Sequence, residues 1–141
     1  MVKEKWKDTQ PLRISTEEAV RRAIELMKGN ERILILYLFG SRGGEGEASP
    51  DSDIDFAFLT DTSFTWDDYY ALHGSMSKAL GTDRFNLLWL NRADPIITFE
   101  VIATGKALYF RNPDTLNDFE LKAKKNFYDY RYYLERHRRG L

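Results

Sequence analysis

The sequence predicts an α/β fold, with a small mixed β-sheet flanked by helices and a long C-terminal helix. Short apolar runs typical of strands alternate along the chain with segments whose apolar residues recur at helical spacing. The resulting order is helix, strand, loop, strand, helix, strand, helix, strand, helix, which is that of an α/β protein. With 141 residues, of which 43% are hydrophobic, the chain is long enough to form one domain with its own core.

The start of the domain is marked by a helix signal. Residues 1–14 contain Pro11 and are predicted to be irregular, so the folded domain is expected to span residues 15–141. Ser15 caps the first helix, and Glu18 three residues later completes a capping-box pattern. Glycine and asparagine follow the last apolar position and end this helix.

Four strands are predicted. Residues 32–39 are almost continuously apolar, as expected of a central strand that is covered on both faces. After a loop over residues 40–52, strands are predicted at residues 53–60, at 84–90 and, as a short edge strand, at 106–110.

The remaining helices begin at clear signals. Thr65 caps a helix over residues 65–80, with two aspartates in its first turn, and Pro95 opens a helix that ends near Thr104. The last helix begins near Pro113 and runs almost to the C-terminus. Its apolar stripe follows steps of three and four residues and consists of Leu116, Phe119, Ala123, Phe127, Tyr130, Leu134 and His137.

Charge and composition exclude several classes of protein. The 22 acidic and 21 basic residues nearly cancel, whereas general nucleic-acid binders carry a basic excess. There is no cysteine, which excludes disulfides and thiolate zinc sites. No signal peptide or membrane-spanning stretch is recognised, so we expect a soluble cytoplasmic protein that does not bind membranes.

The most informative residues lie around the first loop. Gly40-Ser41 ends the first strand, and Asp53-Ile54-Asp55 begins the second. Successive strand side chains point to opposite faces, so Asp53 and Asp55 are expected to project the same way, with Cα atoms roughly 7 Å apart. Two such carboxylates opposite a glycine turn with free N–H groups can hold Mg²⁺ beside a nucleoside triphosphate. Alternatively, the two aspartates lie on a solvated strand face, and Gly40-Ser41 is an ordinary turn that ends a strand.

Other phosphate-binding motifs are excluded by their spacing. No Gly-Lys-Ser/Thr follows the turn, as a Walker A loop requires, and the loop glycines do not fit Gly-x-Gly-x-x-Gly.

Gly40-Ser41, a spacer and Asp53-Ile54-Asp55 together resemble the signature of the polymerase-β-type nucleotidyltransferase superfamily. The wider context is similar to its smallest branch, the minimal nucleotidyltransferases (MNT). Later segments agree with this resemblance, namely residues 87–95, 99–102 and 105–109.

This resemblance implies an activity and roles for residues. Gly40 and Ser41 would bind the triphosphate of ATP, and Asp53 and Asp55 would be the catalytic residues that hold Mg²⁺. Arg42 is either a further phosphate contact or a solvated loop arginine. Many members of the branch are antitoxins paired with HEPN ribonuclease toxins, and some transfer AMP to a toxin tyrosine. A hetero-oligomer with such a partner is implied, and a homo-oligomer is an open alternative.

The sequence departs from the family pattern at one important position. The family usually has a third carboxylate on the next strand, where this chain has Asn86. An amide oxygen can still bind Mg²⁺, but the amide has no negative charge and is a poor base. Asp83 lies three residues away with the opposite strand parity, and His73 is interpreted as a surface or packing residue.

Three functions are therefore compatible with the sequence. The first is an Mg²⁺-dependent transfer of AMP to a hydroxyl of a HEPN-type toxin. The second is an antitoxin with a weakened site that neutralises its partner by binding. The third is a nucleotidyltransferase acting on a small molecule, although few residues remain after the edge strand to form an acceptor domain.

Overall fold

The computed structural model describes residues 14–40 and 52–140, and its elements follow the predicted order. The helices are α1 (Thr16–Lys28), α2 (Trp66–Leu80), α3 (Pro95–Thr104) and α4 (Pro113–Arg138). The strands are β1 (Ile33–Phe39), β2 (Ile54–Thr60), β3 (Phe85–Trp89) and β4 (Lys106–Phe110), and a short 3₁₀ turn, Leu90–Arg92, follows β3. The predicted irregular segment 1–14, except for Ile14, and most of the predicted loop lie outside the described residues.

Three predicted strands were slightly too long, because β1, β2 and β3 begin one residue later than predicted. Asp53 and Arg84, which precede β2 and β3, form an ion pair with each other. Leu90 was predicted to end β3, but it turns into the 3₁₀ segment because the chain changes direction towards α3.

The four strands form one mixed sheet in the order β3-β2-β1-β4. β1 pairs antiparallel with both β2 and β4, whereas β2 and β3 run parallel. The predictions of a mixed sheet, a central first strand and an edge strand at residues 106–110 are thus confirmed. Among the described strands, β3 forms the opposite edge of the sheet.

Helices cover both faces of the sheet. On one face Leu36, Phe56 and Phe58 pack in a core with α1 and α2. On the other face Tyr37 and Ala57 pack in a second core, to which α3 and α4 contribute. The central strands are apolar on both faces because each face is buried.

The apolar stripe of α4 is only partly buried, which corrects its prediction as one continuous stripe. Its first half packs against the sheet, and Phe127 stacks on Phe99 of α3 with ring centroids 4.0 Å apart. Tyr130 and Leu134 are 37% and 43% exposed, because the helix has by then passed the edge of α3. No helix in the described part of the chain is long and apolar enough to cross a membrane.

Tyr37 forms the main polar link between the sheet and α4. Its buried hydroxyl donates to Oε2 of Glu120 at 2.7 Å. Burial, and then the hydrogen bond to Glu120, raise the pKa of Tyr37 far above its ordinary value.

Tyr37→Phe is expected to reduce the free energy of unfolding by about 1–2 kcal/mol at neutral pH, because a hydrogen bond to a charged group is lost. In the unfolded chain, Tyr37 loses its proton at about pH 10. The folded chain keeps this proton at higher pH, because the pKa of Tyr37 is raised. This contribution is therefore fully present below about pH 10 and is lost as the pH rises further. Urea denaturation between neutral and alkaline pH measures it. Exposed Tyr128→Phe is the control, and an equal effect of both variants would contradict the prediction.

Candidate active site

Asp55 lies at the centre of the candidate site because of the register of the sheet. It pairs with Phe39, the last residue of β1, on one side and with Asn86 of β3 on the other. The Asn86 side chain donates from Nδ2 to Oδ1 of Asp55 at 2.7 Å. Asn86, the residue that the sequence analysis singled out on β3, is therefore in direct contact with Asp55.

The glycine turn lies directly against the Asp55 carboxylate. Gly40 has a φ of +74°, in the left-handed region that favours glycine. A Cβ atom at this position would collide with Oδ2 of Asp55 and lie only 3.0 Å from its Cγ. Both carboxylates were expected opposite the turn, and the structure shows this approach for Asp55, which explains why residue 40 lacks a side chain. Ser41 and Arg42, the other predicted nucleotide-binding residues, lie outside the described residues.

Asp53 precedes β2 and is held by a buried arginine. Nε of Arg84 donates to Oδ1 of Asp53 at 3.1 Å, and the Arg84 side chain is only 9% exposed while that of Asp53 is 43% exposed. A buried guanidinium requires a carboxylate partner, so this ion pair fixes the start of β2 beside the start of β3. Sequence reasoning missed Arg84, although an arginine at the start of an apolar strand is unusual enough to indicate a buried ion pair.

The oxygen ligands suit a hard cation such as Mg²⁺. Mg²⁺ is usually held by one or two carboxylates, water and substrate phosphates instead of a cage made by the protein. Among residues 14–40 and 52–140, no three His, Cys, Asp or Glu side chains cluster as a metal site. Asp53 and Asp55 could supply the carboxylates of such a site, whereas the Asn86 amide turns its nitrogen, not its oxygen, towards Asp55. Asp83 accepts a hydrogen bond from the Ser77 hydroxyl and is engaged there.

A groove of about 390 Å³ opens beside Asp55 at the outer edge of β3. It is mostly apolar and aromatic, and its lining residues are Phe39, Asp55, Tyr69, His73, Phe85, Asn86, Leu87, Leu88 and Ile97. His73 stacks near Phe85, with ring centroids 4.8 Å apart, so its predicted packing role is confirmed. The structure adds that the same ring lines the groove next to Asp55. The four-residue spacing from Tyr69, which places both rings on one face of α2, was the available signal.

Comparison with known proteins identifies similar chains. A sequence profile described as Polymerase beta, Nucleotidyltransferase matches residues 21–114, more than half of the 141 residues. A search of curated protein sequences finds no significant match.

Several solved structures have the same fold. A chain from the tri-AMPylated Shewanella oneidensis HEPN toxin in complex with MNT antitoxin aligns with a TM-score of 0.64 and 26% identity, covering 87% of this chain and 93% of that one. A chain from a toxin–antitoxin structure with AMP-PNP aligns with a TM-score of 0.66 and 28% identity, covering 84% and 92%. A chain from the toxin–antitoxin MntA-HepT gives 0.63 and 26%, covering 86% and 93%.

Proposed function

Because this chain belongs to the polymerase-β nucleotidyltransferase family, we propose that it is an antitoxin that transfers AMP from ATP to a hydroxyl of a HEPN-type toxin. The hydroxyl that we propose is that of a tyrosine. The observation that carries the proposal is the position of the Asp55 carboxylate between the Gly40 turn and Asn86. The similar structures support it, since they are toxin–antitoxin complexes, one with an AMPylated toxin and one with AMP-PNP.

In this proposal, residues 15–141 form a single nucleotidyltransferase domain that works in the cytoplasm, where ATP is available. The turn at Gly40 and Ser41 binds the triphosphate through backbone N–H groups, and Arg42 adds a positive charge beside it. Asp53 and Asp55 hold Mg²⁺, which when bound would reduce the negative charge of the phosphates and orient the α-phosphate. Arg84 keeps Asp53 in place, and Asn86 orients Asp55 by donating a hydrogen bond to it.

The reaction is a displacement at the α-phosphorus of ATP. The acceptor oxygen forms a new bond to this phosphorus, and the bond from the phosphorus to the bridging oxygen breaks. Pyrophosphate leaves with that oxygen, and the acceptor proton passes to water. The contribution of the protein is to position the reactants and to hold charges where negative charge develops.

The direct test is AMP transfer to the partner toxin. The full chain is incubated with its purified toxin, Mg²⁺ and ATP labelled on the α-phosphate, and label on the toxin is measured together with a mass increase of one AMP. Transfer that disappears in Asp53→Ala and Asp55→Ala supports the proposal. A toxin that stays unlabelled while it is fully neutralised contradicts it.

A second candidate, neutralisation by binding alone, is favoured by one observation. The carboxylates of Asp53 and Asp55 are both engaged by neighbouring side chains, and Asn86 brings no negative charge. If Asp53→Ala and Asp55→Ala neutralise the toxin as well as the unaltered chain does, this second function is the correct one.

Asn86→Asp is expected to increase the rate of AMP transfer by about tenfold, because it places a base beside the acceptor. Without Mg²⁺ the same change is expected to lower thermal stability, since the new carboxylate would lie against Asp55. Initial rates and thermal unfolding at several Mg²⁺ concentrations measure both effects. Asn126→Asp, on α4, is the control, and a decrease in rate would show that the amide itself is required.

A further inference from the structure

We propose that the groove at the outer edge of β3 is the subsite for the acceptor, and that Tyr69 and His73, supported by the buried Phe85, bind the aromatic ring that carries its hydroxyl. This inference rests on the proposed AMP transfer. The groove would select the acceptor, and His73 would contact the acceptor ring.

The strand order places this groove on the acceptor side of the site. Gly40 follows β1, Asp55 is on β2 and Asn86 is on β3, so the three residues succeed one another across the sheet. The turn after β1 binds the triphosphate in the proposed function, and pyrophosphate therefore leaves on that side. In an in-line displacement the incoming oxygen approaches opposite the leaving group. The acceptor must then enter from the side of β3, where the groove opens.

The lining of the groove suits a flat ring with a hydroxyl. The ring centroids of His73 and Phe85 are 4.8 Å apart, and those of Tyr69 and His73 are 6.4 Å apart. Leu88 and Ile97 add apolar surface, and Asp55 is the only carboxylate among the described lining residues. A volume of about 390 Å³ accepts one aromatic side chain with its main chain. The described lining holds no lysine or arginine to pair with a triphosphate, and the Asp55 carboxylate would repel one.

The groove also borders a surface suited to a protein. The Tyr69 hydroxyl donates to the carbonyl oxygen of Leu87 at 2.6 Å and so fixes its ring along the outer edge of β3. Trp66 and Tyr70, whose rings contact Tyr69, are 47% and 67% exposed. Exposed Trp and Tyr residues are typical of strong contacts between proteins. These two residues favour an acceptor side chain that belongs to a protein over a free small molecule.

The weak basicity of Asn86 favours a phenol over an aliphatic hydroxyl as the acceptor. The described part of the groove offers an amide where a stronger base would stand. A phenol, with a pKa of about 10, loses its proton to water far more readily than a serine hydroxyl does. As it attacks the α-phosphorus, its oxygen forms the new bond, pyrophosphate departs, and the proton is released to solvent.

Steady-state kinetics with small acceptors test the proposal. The probes are N-acetyltyrosinamide and N-acetylserinamide, used with the full chain, Mg²⁺ and α-labelled ATP. His73→Ala is expected to increase the KM for the tyrosine probe about tenfold, with the Kd for ATP changed by less than about twofold. His73→Phe, which keeps a flat ring, is expected to retain the original KM. His137→Ala, the other histidine of the chain, is the control.

A binding measurement keeps the test independent of catalysis. The chain has two histidines, so two sets of imidazole NMR signals are expected, and His137→Ala leaves only that of His73. With AMP-PNP and Mg²⁺ present, the tyrosine probe should shift the His73 signal saturably, whereas the serine probe should not. Such a shift without any AMP transfer would support the subsite and contradict the proposed reaction. The subsite is overturned if neither probe shifts the signal, or if His73→Ala weakens ATP binding while the acceptor KM stays unchanged.

Discussion

Asp55→Asn is expected to reduce AMP transfer about a thousandfold, which corresponds to a loss of about 4 kcal/mol of transition-state stabilisation. The Asp55 carboxylate lies against the Gly40 turn and accepts a hydrogen bond from Asn86. Asparagine keeps the size of the side chain and one oxygen acceptor but removes the negative charge that would hold Mg²⁺ in the proposed function. The chemical step should therefore fail while the fold remains intact.

Two measurements separate this effect from misfolding. The free energy of unfolding of Asp55→Asn is expected to lie within about 1 kcal/mol of the original value, because the amide oxygen can still accept from Asn86. Asp118→Asn removes an exposed carboxylate on α4 and should leave the transfer rate unchanged. If Asp55→Asn retains full activity, Asp55 does not hold the metal, and the proposed reaction has no other carboxylate at this position.

Gly40→Ala is expected to reduce transfer strongly and to destabilise the fold. Alanine in the left-handed conformation observed for Gly40 costs roughly 1–2 kcal/mol. Its Cβ would also collide with the Asp55 carboxylate, so either the turn or Asp55 must move. Both movements separate Gly40, which we propose binds the triphosphate, from the Asp55 carboxylate. Because positions matter within fractions of an ångström in such a site, activity should fall at least about a hundredfold.

Gly74→Ala on α2 is the matched control for this variant. A Cβ at Gly74 meets nothing within 4 Å, and the residue lies in an exposed helical turn. This alanine should stabilise the protein by about 0.5–1 kcal/mol and leave transfer unchanged. Thermal unfolding and AMP transfer of the two variants form a direct comparison. A Gly40→Ala protein as stable and active as the unaltered chain would show that the turn does not need to approach Asp55.

The element order of the fold was predictable because its signals are local. Ser15 and Thr65 cap α1 and α2 through hydrogen bonds to the N–H groups of Glu18 and Asp68, as their positions predicted. The apolar run of β1 indicated a strand covered on both faces, and the structure buries it between two helical layers. The apolar stripe of α4 was a poorer guide to burial, because Tyr130 and Leu134 in its second half are exposed. This apolar stripe continues along α4 beyond α3, although nothing in the described part of the chain covers it there.

The candidate site also combines local features, which the sequence indicates, with contacts between distant residues, which it does not. The glycine turn and the paired aspartates are short patterns, so they could be proposed as a site from the sequence, and the structure places Gly40 against Asp55. The contacts of Asp55 with Asn86 and of Asp53 with Arg84 each join residues 31 positions apart. No local pattern specifies such contacts, because they depend on the parallel pairing of β2 with β3. The same pairing packs α2 against β3, so that His73 and Asp55 line one groove. The spacing of Tyr69 and His73 places both rings on one face of α2, but only the tertiary structure decides which strand that face meets.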